Sequence, residues 1–241
     1  MTKPPDWVEF ASRAAYLPAA DALVFADVHA GRDAASDVAL PLGEREDLLG
    51  RLRAHLNRFE PARVVVAGDL LHVHGSVPDG VRETVDALLT AAEASGATLE
   101  VLRGNHDTML AAVDVDALDH VELADGTVVA HGHEAPPADE RAGLYVVGHD
   151  HPTVSVEGNR RHCWLYAERA VRGADVLMLP AFSRLAAGVE VNGMDARDFQ
   201  SPFVTDADAL RPILARTGDD GDEGGGDPLE FPPLGEFRRM L

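Results

Sequence analysis

Five short blocks of the sequence carry carboxylate, imidazole and amide side chains close together. They are Asp27-Val28-His29, Gly68-Asp69-Leu70-Leu71-His72, Arg103-Gly104-Asn105-His106-Asp107, Ala130-His131-Gly132-His133 and Val147-Gly148-His149-Asp150-His151. Aspartate, asparagine and neutral imidazole are the oxygen and nitrogen donors that divalent cations such as manganese, iron and zinc accept. A pair of such ions about 3.5 to 4 Å apart activates water and neutralises phosphoryl oxygens, and it needs one carboxylate that reaches both. The chain has one cysteine, Cys163, so a disulfide within the chain and a cysteine-based zinc site are both excluded.

Each block follows an apolar run that reads as a strand, which is where open α/β sheets place their sites. Ala22–Ala26, Arg63–Ala67 and Thr98–Leu102 read as buried strands. Amphipathic helices are predicted between them over Glu44–Phe59 and Val81–Ser95, and an earlier helix over about Asp6–Tyr16. After about residue 120 the pattern changes to short strands: Val121–Ala130 interrupted by Asp125-Gly126, then Leu144–Val147, Thr153–Val156, His162–Ala167 and Val176–Leu179. A βα half followed by a β-rich half predicts two stacked sheets with helices outside. In an Asp-x-His pair at a strand end the two side chains are expected on one side of the pleat. The glycines before the motifs let the backbone turn tightly beside an ion.

The order of these blocks resembles the calcineurin-like metallophosphoesterase superfamily, whose pattern is D-x-H, GD, GNH[DE], H and GHxH. The resemblance spans roughly Ala22–Pro152 and implies a four-layer αββα sandwich of two mixed sheets flanked by helices. It implies that Asp27, His29, Asp69 and His151 hold one ion, and that Asn105, His131 and His149 hold a second with Asp69 shared. His106 would face the substrate phosphate and stabilise or protonate the leaving oxygen, with Asp107 orienting its ring. The GD-x-x-H block, ending in His72, resembles the branch with the archaeal SbcD-related phosphoesterases and the bacterial ligase-associated DNA damage endonuclease. In that branch this histidine also approaches the scissile phosphate. A lone D-x-H or GD is common by chance; five blocks in order are not. His74, His133 and His162 fill no motif slot and are expected at the surface or supporting the ligands. Arg32 and Arg103 are candidates either for clamping a phosphate or for surface pairing.

The chain carries 41 acidic and 21 basic residues, a net charge of −20, with Lys3 its single lysine. Six of the acids lie in Thr217–Glu230, which has no basic residue; the remainder still carries −14. Charge of this density is a lever that halophiles use, because concentrated salt screens it, so a salt-rich cytoplasm is expected. An acidic protein from a GC-rich genome explains the arginine-for-lysine bias equally well. The N-terminal ten residues have no apolar core, and no run approaches 18 apolar residues, so a cytoplasmic protein without a membrane partner is expected. The expected division is a metallophosphoesterase domain over 1–216 and an acidic, glycine-rich linker and tail over 217–241.

The leading expectation is a phosphoesterase with two divalent metal ions, Mn²⁺ favoured and Fe or Zn admitted, that hydrolyses phosphodiester bonds in nucleic acid. Two features oppose a large nuclease. After His151 the chain has residues enough only to finish the second sheet, without the DNA-binding cap of full SbcD-type enzymes. Nor is there a basic stripe to grip a phosphate backbone. DNA ends delivered by a DNA-repair partner protein, or small nucleotides, are therefore the expected substrates. The competing readings are a phosphodiesterase for cyclic or other small nucleotides, and a non-catalytic scaffold on the same fold, which should have lost motif residues that this chain keeps.

Overall fold

A computed structural model describes residues 5–33, 43–73, 75–137, 140–215 and 228–240. The first half runs β1 (Glu9–Ala11), β2 (Ala14–Leu17), β3 (Ala22–Phe25), α1 (Glu44–Phe59), β4 (Arg63–Val66), α2 (Asp79–Ala94) and β5 (Thr98–Val101). These strands form one mixed sheet in that order, antiparallel from β1 to β3 and parallel from β3 to β5. Strands β3 and β4 are apolar on both faces because both faces are covered. Leu23, Phe25, Val64 and Val66 meet Leu48, Leu52 and Leu56 of α1 and Val81, Val85 and Leu88 of α2. Val24 and Val65 turn the other way, toward the second sheet.

The helix expected over Asp6–Tyr16 is instead the β1–β2 hairpin. Ser12 and Arg13 reverse the chain with φ of 35° and 70°, without a glycine. The Arg13 guanidinium donates to the carbonyls of Ala181 and Ser183 at 3.1 and 2.9 Å. Pairing with β3 and these long-range bonds override local helix propensity.

The second half supplies β6 (His120–Glu122), β7 (Thr127–Ala130), β8 (Leu144–Val147), β9 (Pro152–Val156), β10 (Asn159–His162), β11 (Trp164–Val171), β12 (Ala174–Met178), β13 (Val189–Glu190), β14 (Arg211–Leu214), β15 (Leu229–Glu230) and α3 (Leu234–Phe237). Seven of these strands form a mixed sheet in the order β15-β14-β11-β12-β8-β7-β6, and a small sheet has the order β10-β9-β13. Val129, Val146, Trp164 and Leu177 of the large sheet pack on the first sheet. Its other face is closed by Phe199, Phe203, Leu234 and Phe237. The fold is the expected α/β arrangement of two mixed sheets. Among the described residues, helical cover on this outer face is limited to α3 and a 3-10 turn over Ala207–Ala209.

The chain after the acidic run differs from the expected tail. Leu229 and Glu230 pair with Leu214 and Ile213 at the edge of the large sheet, and Leu234 and Phe237 are buried. Arg238 then donates to the Asn192 carbonyl at 2.8 Å and pairs with Asp208. Residues 228–240 therefore fold onto the domain; residues 216–227, with the acidic run, lie outside the described residues. Among the described residues no helix is long and apolar enough to cross a membrane.

Candidate metal centre

Strands β3 and β4 end at Phe25 and Val66, before the motif residues begin. The two segments nevertheless stay paired: Asp27 N donates to Gly68 O at 3.0 Å, His29 N to Asp69 O at 2.9 Å and Ala30 N to Leu70 O at 2.9 Å. Asp27, His29 and Asp69 have φ of 58°, 48° and 52°, and His149 and His151, after β8, have 78° and 47°. Left-handed backbone conformations after the strands, and not the expected pleat alternation, thus aim these side chains at the site. Such conformations cost on the order of 1 to 3 kcal/mol each and cluster at functional sites.

Asp27 Oδ1 lies 3.2 Å from His151 Nε2, which lies 3.2 Å from His29 Nε2, which lies 3.8 Å from Asp69 Oδ2. Donors about 2.1 Å from one ion lie roughly 3.0 to 3.4 Å apart at octahedral to tetrahedral angles. Asp27 is fully buried, yet its Oδ1 accepts no hydrogen bond, which is costly for a carboxylate unless a cation faces it. These four residues are a donor set that fits a divalent ion. On the other side of Asp69, His131 Nε2 lies 3.5 Å from Asp69 Oδ1 and 3.0 Å from Asn105 Oδ1. The His149 ring packs edge-on against His131 at 5.0 Å. Asp69 therefore stands between two donor groups, one carboxylate oxygen toward each.

The electrostatics suit cation binding. Burial alone would raise the Asp27 pKa, but the imidazoles of His151, His131 and His29 hold it at about 2. Burial pushes His29 down to about 3 and His149 to about 4, so both are neutral ligands at pH 7. Burial raises Asp69, with His131 opposing. Burial lowers His151, but Asp27 outweighs it and the net shift is upward.

His106 is half-buried, with its ring 5.3 Å from that of His29 and stacked on His72 at 5.6 Å. His72 Nδ1 lies 3.3 Å from His29 Nδ1. Asp107 corrects the expectation that it orients the His106 ring. Its Oδ1 accepts from Leu71 N at 3.0 Å and its Oδ2 from Gly104 N at 2.9 Å, so its carboxylate fastens two motif loops together. Of the two roles expected for Arg103, the structure displays the surface pairing: it is exposed, and its guanidinium faces Asp119 at 3.7 Å and the Ala117 carbonyl. Arg32 is half-buried and its charge is felt at His151. His133 sits 5.2 Å from His131 and 6.1 Å from His149, beside the second donor group. His162 lies in β10, and His74 lies outside the described residues.

Two supporting carboxylates escape the sequence reading. Glu44, the first residue of α1, accepts from Gly31 N at 2.8 Å and Arg32 N at 3.0 Å, fixing the loop after His29. Asp150 accepts from Gln200 N at 2.8 Å and Ser201 N at 3.0 Å, holding the His149–His151 turn against a distant loop. Asp150 stands inside a motif, a signal of sorts. Glu44 carries none, because its partners are backbone groups.

Residues 21–187 match the family model of the calcineurin-like phosphoesterases, which includes every motif block. The chain belongs to that family. As a calcineurin-like phosphoesterase it is a metal-dependent hydrolase of phosphoric esters, and Asp27, His29, Asp69 and His151 are a group whose donor atoms could hold a metal ion. Among solved structures it is similar to the Pseudomonas putida nuclease MPE, with 25% identity and a TM-score of 0.60 over 84% of this chain and 88% of that one. A phosphoesterase from E. coli, YfcE, is also similar, with 18% identity and a TM-score of 0.41 over 73% of this chain and 84% of that one. No curated protein sequence matches the chain.

Proposed function

We propose that this calcineurin-like phosphoesterase uses two divalent ions to hydrolyse phosphodiester bonds in nucleic acid. The observation that carries the reading is Asp69, set between two donor groups, with His106 beside them. In this reading Asp27, His29, Asp69 and His151 hold one ion and Asp69, Asn105, His131 and His149 the other; a set of carboxylate, amide and imidazole without thiolate admits Mn²⁺, Fe or Zn, of which Mn²⁺ is the ion proposed. Two ions supply charge neutralisation of the non-bridging oxygens and a water activated for in-line attack. His106 gives its ring proton to the departing alkoxide oxygen. Arg32 steadies the phosphate, while Asp107 and Glu44 hold the loops on which these groups stand.

Similarity to a nuclease at 25% identity supports a nucleic-acid substrate. The net charge of −20 disfavours long electrostatic tracking of a backbone and points to short DNA ends, presented by a partner protein. That same charge favours a second reading, a small cyclic or linear nucleotide. A hydrolysis panel of monoester, diester, cyclic nucleotide and single-stranded DNA, in Mn²⁺ and high KCl, separates the two. Cleavage of DNA is expected; activity confined to the cyclic nucleotide refutes the leading reading. Elemental analysis of Mn²⁺-loaded protein should find near two ions per chain, with both lost in Asp69→Ala. A stoichiometry of one refutes the dinuclear site.

A further inference from the structure

A histidine that ligates through one ring nitrogen must carry its proton on the other, and a hydrogen-bond acceptor for that proton fixes the tautomer and the ring orientation. The centre provides such an acceptor for His131. Its Nδ1 lies 3.0 Å from the Ala67 carbonyl, which leaves Nε2 unprotonated and turned toward Asn105 and Asp69. His29 is oriented the same way, with Nε2 toward His151 and Asp69. On its outward side, however, Nδ1 faces a ring nitrogen instead of a carbonyl: His72 Nδ1, at 3.3 Å, with the two rings at 87°. A backbone carbonyl can only accept; an imidazole nitrogen can also donate, so the identity and tautomer of His72 decide whether His29 is a competent ligand.

We infer that His72 is the positioning residue of His29, accepting the His29 Nδ1 proton on its own Nδ1 and so reserving His29 Nε2 for the metal. His72 must then carry its proton on Nε2. One imidazole thus couples two tasks, because a ring that accepts from His29 presents a donor at its far nitrogen. That tautomer is the one able to donate toward a phosphate oxygen on the His106 side, where the two rings stack. The inference rests on the dinuclear reading above and assigns His72 a role in metal affinity that a residue facing only the substrate would not have.

The test uses Mn²⁺ alone as probe and reads site-resolved affinity by competition with a chelator. Asparagine can set an oxygen near the position of Nδ1, glutamine sets its amide near Nε2, and leucine offers neither. His72→Leu and His72→Gln should weaken one of two Mn²⁺ sites by about 10- to 100-fold, the usual effect of losing a ligand's hydrogen-bond partner, and leave the other unchanged. His72→Asn should restore the weakened site to near the wild-type value. In zinc-loaded wild-type protein, long-range ¹⁵N correlation spectra should place the His72 proton on Nε2, opposite an unprotonated Nδ1 that accepts from His29. Wild-type affinity in both the leucine and the glutamine variant, or an asparagine variant as weak as leucine, overturns the inference. So does a wild-type His72 proton found on Nδ1, and the spectrum decides the matter even if His72→Leu does not fold. If the wild type hydrolyses phosphodiesters with two ions while these variants behave as wild type, this inference alone fails. If the wild type binds no second ion, the dinuclear reading fails and takes the inference with it.

Discussion

Gly104 precedes Asn105 and His106 and does not occupy the left-handed region, so its need for glycine is a matter of space. A Cβ built there would stand 2.8 Å from Asp69 Cγ, and closer still to Asp69 Oδ1 and its backbone nitrogen. Ordinary contact begins at about 3.4 Å, and Oδ1 is the nearest atom, so Gly104→Ala must drive the Asp69 carboxylate away by more than about 1 Å, or displace the loop. Overpacking of this kind costs about 1 to 3 kcal/mol. For a chain of this size that is a fall in Tm of about 2 to 12 °C. The functional loss should be larger than the stability loss, because Asp69 is the carboxylate between both donor groups and a misplacement near 1 Å costs on the order of 10²-fold in rate. Gly126 is the control: its φ is 81° and nothing lies within 4 Å of its added Cβ, so alanine there should cost about 1 to 2 kcal/mol of conformational strain alone. The assay is calorimetry together with metal content and kcat/KM for both variants. If Gly104→Ala keeps wild-type metal content and turnover, or if Gly126→Ala loses them equally, the close approach at Asp69 does not govern the centre.

Three further outcomes follow from other features. His106→Gln should leave metal content and Tm near wild type while lowering kcat and kcat/KM together by about 10²- to 10⁴-fold, more for DNA than for an activated aryl ester; equal losses on both substrates would remove its role as proton donor. The Tm should rise steeply between dilute buffer and molar KCl if the surface charge is adapted to salt, and a flat curve would assign the acidity another cause. His55 packs against Phe59 and Phe182, and burial pushes its pKa from 6.5 down to about 4, so the folded state binds that proton less tightly than the unfolded chain. Stability present above pH 6.5 should therefore be lost as pH falls toward 4, by up to about 1.4 kcal/mol per pH unit, and His55→Leu should be correspondingly less pH-sensitive in urea denaturation.

The strands and helices around the centre were legible because their patterns are imposed by burial on two sides: β3 and β4 are continuous apolar runs, and α1 shows a leucine stripe that matches its observed span. The hairpin at Ser12-Arg13 was not, since neither residue advertises a turn and the left-handed conformation is held by bonds to Ala181 and Ser183, about 170 residues away. The return of the C-terminus was hidden for a related reason: Leu229–Glu230 is too short to show a period and depends on β14 for pairing. Within the site, the residues that meet a cation were legible by type and order, since only a few side chains suit that work. The residues that fix them were misread or missed, Asp107 and Glu44 above all. Their partners are main-chain amides, and any residue but proline can supply an amide, so no pairing signal is written into the sequence.

The left-handed backbone at Asp27, His29, Asp69, His149 and His151 narrows what these positions can hold. Among residues with a Cβ, asparagine, aspartate and histidine enter that region most readily. They are also the nitrogen and oxygen donors of the centre. Two unrelated filters, one conformational and one chemical, thus pass the same small alphabet. Randomising these five positions should return aspartate, asparagine and histidine, along with glycines that fold but ligate nothing. Glutamate and cysteine, serviceable ligands elsewhere, enter that region less readily and should return less often, although Glu60 and Glu157 adopt it in this chain. A change of metal preference in this scaffold should accordingly arise from the residues that brace the ligands, where the backbone leaves the choice open.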